Sequence, residues 1–96
     1  MKPSQALQTH RAAVRRIVES HRAGNVRVFG SVVHGSDADG SDLDLLIDPT
    51  PQTTLFDIGA IRHELTQLLG VPVDVLTPQA LPEKVRATVL LQAQPL

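Results

Sequence analysis

The apolar positions of this chain switch between two periods, and the switches mark its elements. From Ser4 to about His21, the residues Leu7, Val14, Ile17, Val18 and His21 recur at steps of three, four and seven, with Arg11, Arg15 and Arg16 among the other positions. That spacing predicts one face of a helix. Ser4 is placed to cap it, and Gly24-Asn25 to stop it. "VRVF", Val26 to Phe29, predicts a short strand. Gly30-Ser31 ends that strand, and Ser31 opens a short helical turn before Gly35. In "SDLDLLI" the period falls to two, with Leu43, Leu45 and Ile47 on one face and Asp42, Asp44 and Leu46 on the other. The Pro49/Pro51 pair stops this second strand.

A second long helix follows from Leu55, Ile58, Ile61, Leu65, Leu68 and Leu69, opened by Thr53 or Thr54 and closed by Gly70. "VPVDVL", Val71 to Leu76, predicts a third strand with Val71, Val73 and Val75 opposite Asp74. After "TPQALP" a last helix is expected from about Pro82, with Val85 and Val89 inward. The order αβ(α)βαβα predicts a single α/β domain over residues 1–96, a small mixed sheet with helices packed mainly on one face.

Composition narrows the function. Hydrophobic residues make up 42% of the 96 positions but aromatics only 2%, so the core must be Val, Leu, Ile and Ala. The formal charge is −1, and there is no Trp or Tyr. Neither a general basic footprint nor a stacking platform exists, so nucleic acid is not an expected partner. With no cysteine, disulfides, thiolate metal sites and cysteine nucleophiles are excluded. The N-terminal stretch lacks the apolar core of a signal peptide, and no apolar run reaches membrane-spanning length, so a cytoplasmic protein is expected. The chain has no Gly-x-Ser-x-Gly elbow and no Walker A lysine motif, which removes serine-hydrolase and P-loop chemistry.

The aspartates remain to be explained. Asp42 and Asp44, two apart on a strand, point to one face with Cα atoms roughly 6.5–7 Å apart. Asp74 bears the same relation to the core-facing valines of the third strand. If the two strands are neighbours, all three carboxylates share the face turned away from the core. Like charges so gathered repel. A hard divalent cation removes the conflict, and Mg²⁺ suits carboxylate oxygens, filling the rest of its shell with water and substrate phosphate. Two such ions can clamp the attacking and leaving oxygens of a phosphoryl displacement. Gly30 and Ser31 stand at a strand-to-helix junction, where backbone N–H groups and a small hydroxyl can hold phosphate. Metals on one side and donors on the other describe a nucleoside triphosphate site.

Other readings of the polar residues are weaker. "DADGSDLDLLID" has alternate oxygen ligands, but Asp42 occupies the position where a calcium loop requires glycine, and strands rather than helices flank it. Asp37 and Asp39 then read as solvated loop-tip residues, and Asp48 as a strand-end or turn residue, too far from Asp44 for a shared ion. His34 reads as an exposed loop residue, and His10, His21 and His63 have no zinc-ligand spacing.

"GSVVHGSDADGSDLD" places Gly-Ser ten residues before Asp-x-Asp. It resembles the signature of the DNA polymerase β-like nucleotidyltransferases, and over nearly the whole chain it is similar to the minimal nucleotidyltransferases, the antitoxin partners of HEPN-domain toxins. The resemblance implies that Asp42, Asp44 and Asp74 are the metal-binding and catalytic carboxylates. It implies that Gly30, Ser31 and Ser41 contact the nucleotide. It further implies two Mg²⁺ ions, ATP as substrate, transfer of AMP to a toxin tyrosine, and any oligomer forming through the toxin complex. One departure stands out: family members often carry basic residues just after Gly-Ser, where this chain has Val32, Val33 and His34. An antitoxin that only occludes its toxin is the alternative that this departure favours. Transfer to a small antibiotic is a weaker third, since such enzymes usually add an acceptor-binding domain.

Overall fold

The computed structural model describes residues Met1–Leu96. The chain runs α1 (Pro3–Ser20), β1 (Ala23–Phe29), α2 (Ser31–His34), β2 (Leu43–Pro49), α3 (Leu55–Leu69), β3 (Val73–Leu76), a 3₁₀ turn (Pro78–Ala80), α4 (Glu83–Gln92) and β4 (Gln94–Pro95). The four strands form one mixed sheet in the order β3-β2-β1-β4. β1 is antiparallel to both β2 and β4, while β2 and β3 are parallel, joined across α3. This is the small α/β mixed sheet that the hydrophobic pattern predicts.

The period-2 residues of the strands and the helical stripes of α1 and α3 meet in one core. Leu43, Leu45 and Ile47 of β2 are fully buried with Val14, Val18, Ile61 and Leu65, and Val73 and Val75 join them from β3. Burying one such side chain contributes about 1.5–3 kcal/mol, so this single aliphatic layer carries most of the fold. The opposite face of the sheet is treated in two ways. Leu46 is also fully buried, and with Leu81 it lies outside the main core. The 3₁₀ turn packs against β2, closing that half of the face. The half nearer Gly30 stays open.

Several boundaries differ from the sequence reading, each for a local reason. The cap of α1 is Lys2 rather than Ser4, because Pro3 takes the first helical position, where its missing N–H costs nothing. Gly24-Asn25 does not stop a helix. The strand already begins at Ala23, and the pair forms an irregularity in the β1–β2 register, with Asn25 at φ +49°. Leu55 does not join the α3 stripe. It stands in the first helical turn, 85% exposed, beside Phe56 at 89%.

The last helix departs most. Val85 is 43% exposed, Val89 only half-buried, and no residue of α4 is buried. What holds α4 is polar: Arg86 donates from Nε to the Pro78 carbonyl at 2.9 Å and from a terminal nitrogen to the Leu81 carbonyl at 2.9 Å. The chain then ends in β4, a short edge strand that the helical reading of this region did not anticipate.

Thr54 opens α3 as expected and forms a reciprocal cap. Its Oγ1 accepts the Asp57 N–H at 3.1 Å, while Asp57 Oδ2 accepts the Thr54 N–H at 2.9 Å. The Thr54 backbone N–H, then its hydroxyl and Arg22, hold the Asp57 carboxyl below the ordinary carboxylate value. A carboxyl with a depressed folded pKa adds stability above its unfolded pKa and loses it as pH falls through the folded value. The D57N variant is therefore expected to be less stable than the parent at pH 7. The gap should begin to narrow below about pH 4 and vanish only below the depressed folded value, as read by urea unfolding across a pH series.

Candidate active site

The site is built by register. Leu43 donates its N–H to the Pro72 carbonyl at 2.8 Å, which starts the β2–β3 ladder. From there Asp44 pairs with Asp74, one row from the Leu43–Val73 pair that faces the core. Neighbouring strands lie about 4.8 Å apart, so the Asp44 and Asp74 side chains project side by side on the open face. Asp42, the residue before β2, is exposed next to them. The structure therefore brings Asp42, Asp44 and Asp74 to one end of one face.

Asp44 is the most constrained of the three. Burial, then the charge of Asp74, then that of Asp42, push its carboxyl above the ordinary value. Directly across the sheet, Phe29 pairs with Asp44, and Gly30 follows at φ +76°, ψ −146°. That conformation is essentially reserved for glycine. A Cβ at Gly30 would also collide with Asp44 Oδ2. Glycine is thus required by the backbone, and a side chain there would also displace the Asp44 carboxylate. Ser31 opens α2, and its hydroxyl has no partner within the chain, whereas the Gly30 carbonyl accepts from Val33 and His34. Ser41 is placed differently: its Oγ accepts the Ala38 N–H at 2.9 Å and closes a turn of the loop before β2.

The chain's seven aspartates fall into two groups. Asp37 accepts the Ser4 N–H, Asp39 meets the terminal amine, Asp48 is paired with Arg27 and Asn25, and Asp57 with Arg22 and Thr54. Asp42, Asp44 and Asp74 have neither an ion pair nor a hydrogen-bond donor of this chain. Their unpartnered charges fit the acid side of a divalent-cation site. No three side chains are gathered as a ready metal cage, so protein oxygens alone would not complete the shell. That is the usual condition for Mg²⁺, which takes one or two carboxylates and draws its other ligands from water and phosphate.

The model of the nucleotidyltransferase domain matches residues 7–95. The chain belongs to that family. A solved structure described as a candidate minimal nucleotidyltransferase is 40% identical, covering 97% of this chain and 95% of its own, with a TM-score of 0.86. The candidate protein adenylyltransferase MJ0435 of Methanocaldococcus jannaschii is 29% identical over 77 residues, 80% of this chain and 83% of that protein. A crystal structure of a toxin–antitoxin with AMP-PNP shares the fold, with a TM-score of 0.71 over 97% of this chain and 71% of that one, at 14% identity. This nucleotidyltransferase therefore places its Asp-x-Asp pair at the start of β2 and its Gly-Ser at the β1–α2 junction, both at one end of the sheet.

One site neighbour differs from the sequence reading. Asp37 is not a solvated loop tip; it is half-buried and bonded to the first turn of α1. Asp48 stands at the end of β2, as the sequence reading has it, and is ion-paired with Arg27. No helix is long and apolar enough to cross a membrane.

The fit of Gly30 against Asp44 is open to a coupling measurement. G30A should lose about 1–3 kcal/mol of stability. In a G30A/D44A double variant part of that loss should return, because the carboxylate that the new methyl strikes is gone. Urea unfolding of the two single variants and the double variant reads this directly. Strictly additive losses would place the strain in the backbone alone.

Proposed function

We propose that this nucleotidyltransferase transfers AMP from ATP to a tyrosine hydroxyl of a HEPN-domain toxin and thereby neutralises it. The observation that carries the proposal is the sorting of the aspartates. Every aspartate outside the site has a partner within the chain, and the three at the open end of the sheet have none. The adenylyltransferase relative and the toxin–antitoxin neighbour with a bound ATP analogue support the choice of AMP and of a toxin as acceptor.

In this reading Asp42, Asp44 and Asp74 are the residues that would hold Mg²⁺. Bound there, the ions supply charge neutralisation along the triphosphate. The rest is done by the chain. Gly30 allows the triphosphate to approach the backbone closely, and Ser31 donates its hydroxyl to it. Asp74 takes the proton of the attacking hydroxyl. The acceptor oxygen bonds to the α-phosphorus as the bond to the β-phosphate oxygen breaks, and pyrophosphate leaves. No covalent enzyme intermediate is needed, because positioning and charge neutralisation are sufficient. A phenol, with a pKa near 10, gives up its proton more readily than an aliphatic alcohol, which suits a carboxylate base. The chain itself has no tyrosine, so a tyrosyl product must form on a different protein.

A toxin incubated with this protein, ATP and Mg²⁺ is expected to gain one or more adenylyl groups on tyrosine, as read by intact mass and peptide mapping. D44A and D74A should lose transfer while remaining folded and able to bind the toxin. The chain has Val32, Val33 and His34 where relatives often have basic residues, which favours occlusion as the competing reading. An unmodified toxin that the D42N/D44N double variant still inhibits fully would decide for occlusion.

A further inference from the structure

We propose that Asp37 is a positioning residue for Asp42: its carboxylate pins the loop that carries Asp42 to the first turn of α1. The proposal rests on the reading of Asp42 as a metal-side carboxylate. Between α2 and β2 the chain has no helix or strand. The start of this loop is fastened by the Ser36 N–H to the Ser31 carbonyl at 2.9 Å, and its end by the first bond of the β2–β3 ladder. The bonds within it, Ala38 N–H to Ser41 Oγ and Ser41 N–H to the Ala38 carbonyl at 3.0 Å, tie the loop only to itself.

Two contacts reach the body of the protein. One joins Asp39 to the terminal amine at 3.2 Å, with the two groups 82% and 62% exposed. Exposed pairs of this kind contribute little. The other is Asp37 Oδ2 accepting the Ser4 N–H at 3.0 Å. Ser4 lies in the first helical turn, where N–H groups have no intrahelical acceptor and the helix dipole favours a carboxylate. Each group therefore satisfies the other. The Ser4 backbone N–H holds the Asp37 carboxyl below the ordinary carboxylate value, so it is ionised at neutral pH.

Asp42 depends on this contact more than its neighbours do. Asp44 is set by ladders on both sides, to Phe29 and to Asp74. Asp42 stands outside the strand, and its side chain has no bond of its own. Its place is set by Leu43 on one side and by the loop on the other. Releasing Asp37 should move Asp42 and spare Asp44 and Asp74.

The test compares the full chain with D37A, D37N and D42N, using amide hydrogen exchange and binding of Mn²⁺ alone by electron paramagnetic resonance. In D37A the amides of Ser4, Ala38 and Ser41 should exchange faster. Mn²⁺ affinity should fall about tenfold or more, as is usual when the support of a metal ligand is removed, and approach that of D42N. The melting temperature should fall by no more than several degrees, the loss of one bond at a helix start. D37N keeps an acceptor oxygen and should recover most of the loop protection and most of the affinity. Parent-like exchange in D37A would overturn the proposal, and so would a freed loop with unchanged Mn²⁺ affinity. A failure of the underlying reading would look different. The parent itself would hold no Mn²⁺ while D37A still freed the loop, which would overturn the role assigned to Asp42.

Discussion

The parallel pairing of β2 with β3 is the constraint from which the site follows. Because side chains alternate along a strand, pairing Leu43 with Val73 sends both toward the core and leaves Asp44 beside Asp74 on the other face. A slip of one residue would place a carboxylate opposite a buried valine. The core therefore enforces the register, and the register gathers the charge. Two charges about 5 Å apart at an effective dielectric of about 20 repel by roughly 3 kcal/mol. That is close to the contribution of one buried leucine, and the core behind β2 holds several fully buried ones. The fold can tolerate an unpaired acidic pair that a smaller core could not.

The other end of the site depends on what is absent. Gly30 has no side chain, and Asp44 lies in the space that one would fill. The Gly-Ser turn and the Asp44 carboxylate are thus in contact. The open face is limited to this end because Leu46 is covered on the far half and Arg27 is neutralised by Asp48.

Much of this was legible in the sequence, and what was not has a common cause. Alternation in "SDLDLLI" and "VPVDVL" identified the strands, their buried faces and the opposite placement of Asp44 and Asp74, because period two is a property of adjacent residues, although Asp42 falls just before β2. Thr54 and Gly70 marked α3 for the same local reason. The misreadings involve partners distant in the chain. Asp37 looked like a loop tip because its donor lies 33 residues away. Asp48 reads correctly as a strand-end residue, but its ion pair with Arg27, 21 residues away, leaves no local signal. Val85 and Val89 have the right spacing for a buried face, yet α4 is held through Arg86 to backbone carbonyls, and hydrophobic spacing alone cannot reveal that a helix has nothing apolar to pack against.

The central claim is that unpartnered carboxylates and the Gly-Ser turn form one site, completed only by metal and nucleotide together. Thermal melting with ATP alone, with Mg²⁺ alone and with both tests it most directly, since a ligand that binds only the folded state raises the melting temperature. The account predicts by far the largest rise with both present, and loss of that rise in D42N. An equal rise in D42N and the parent would contradict it.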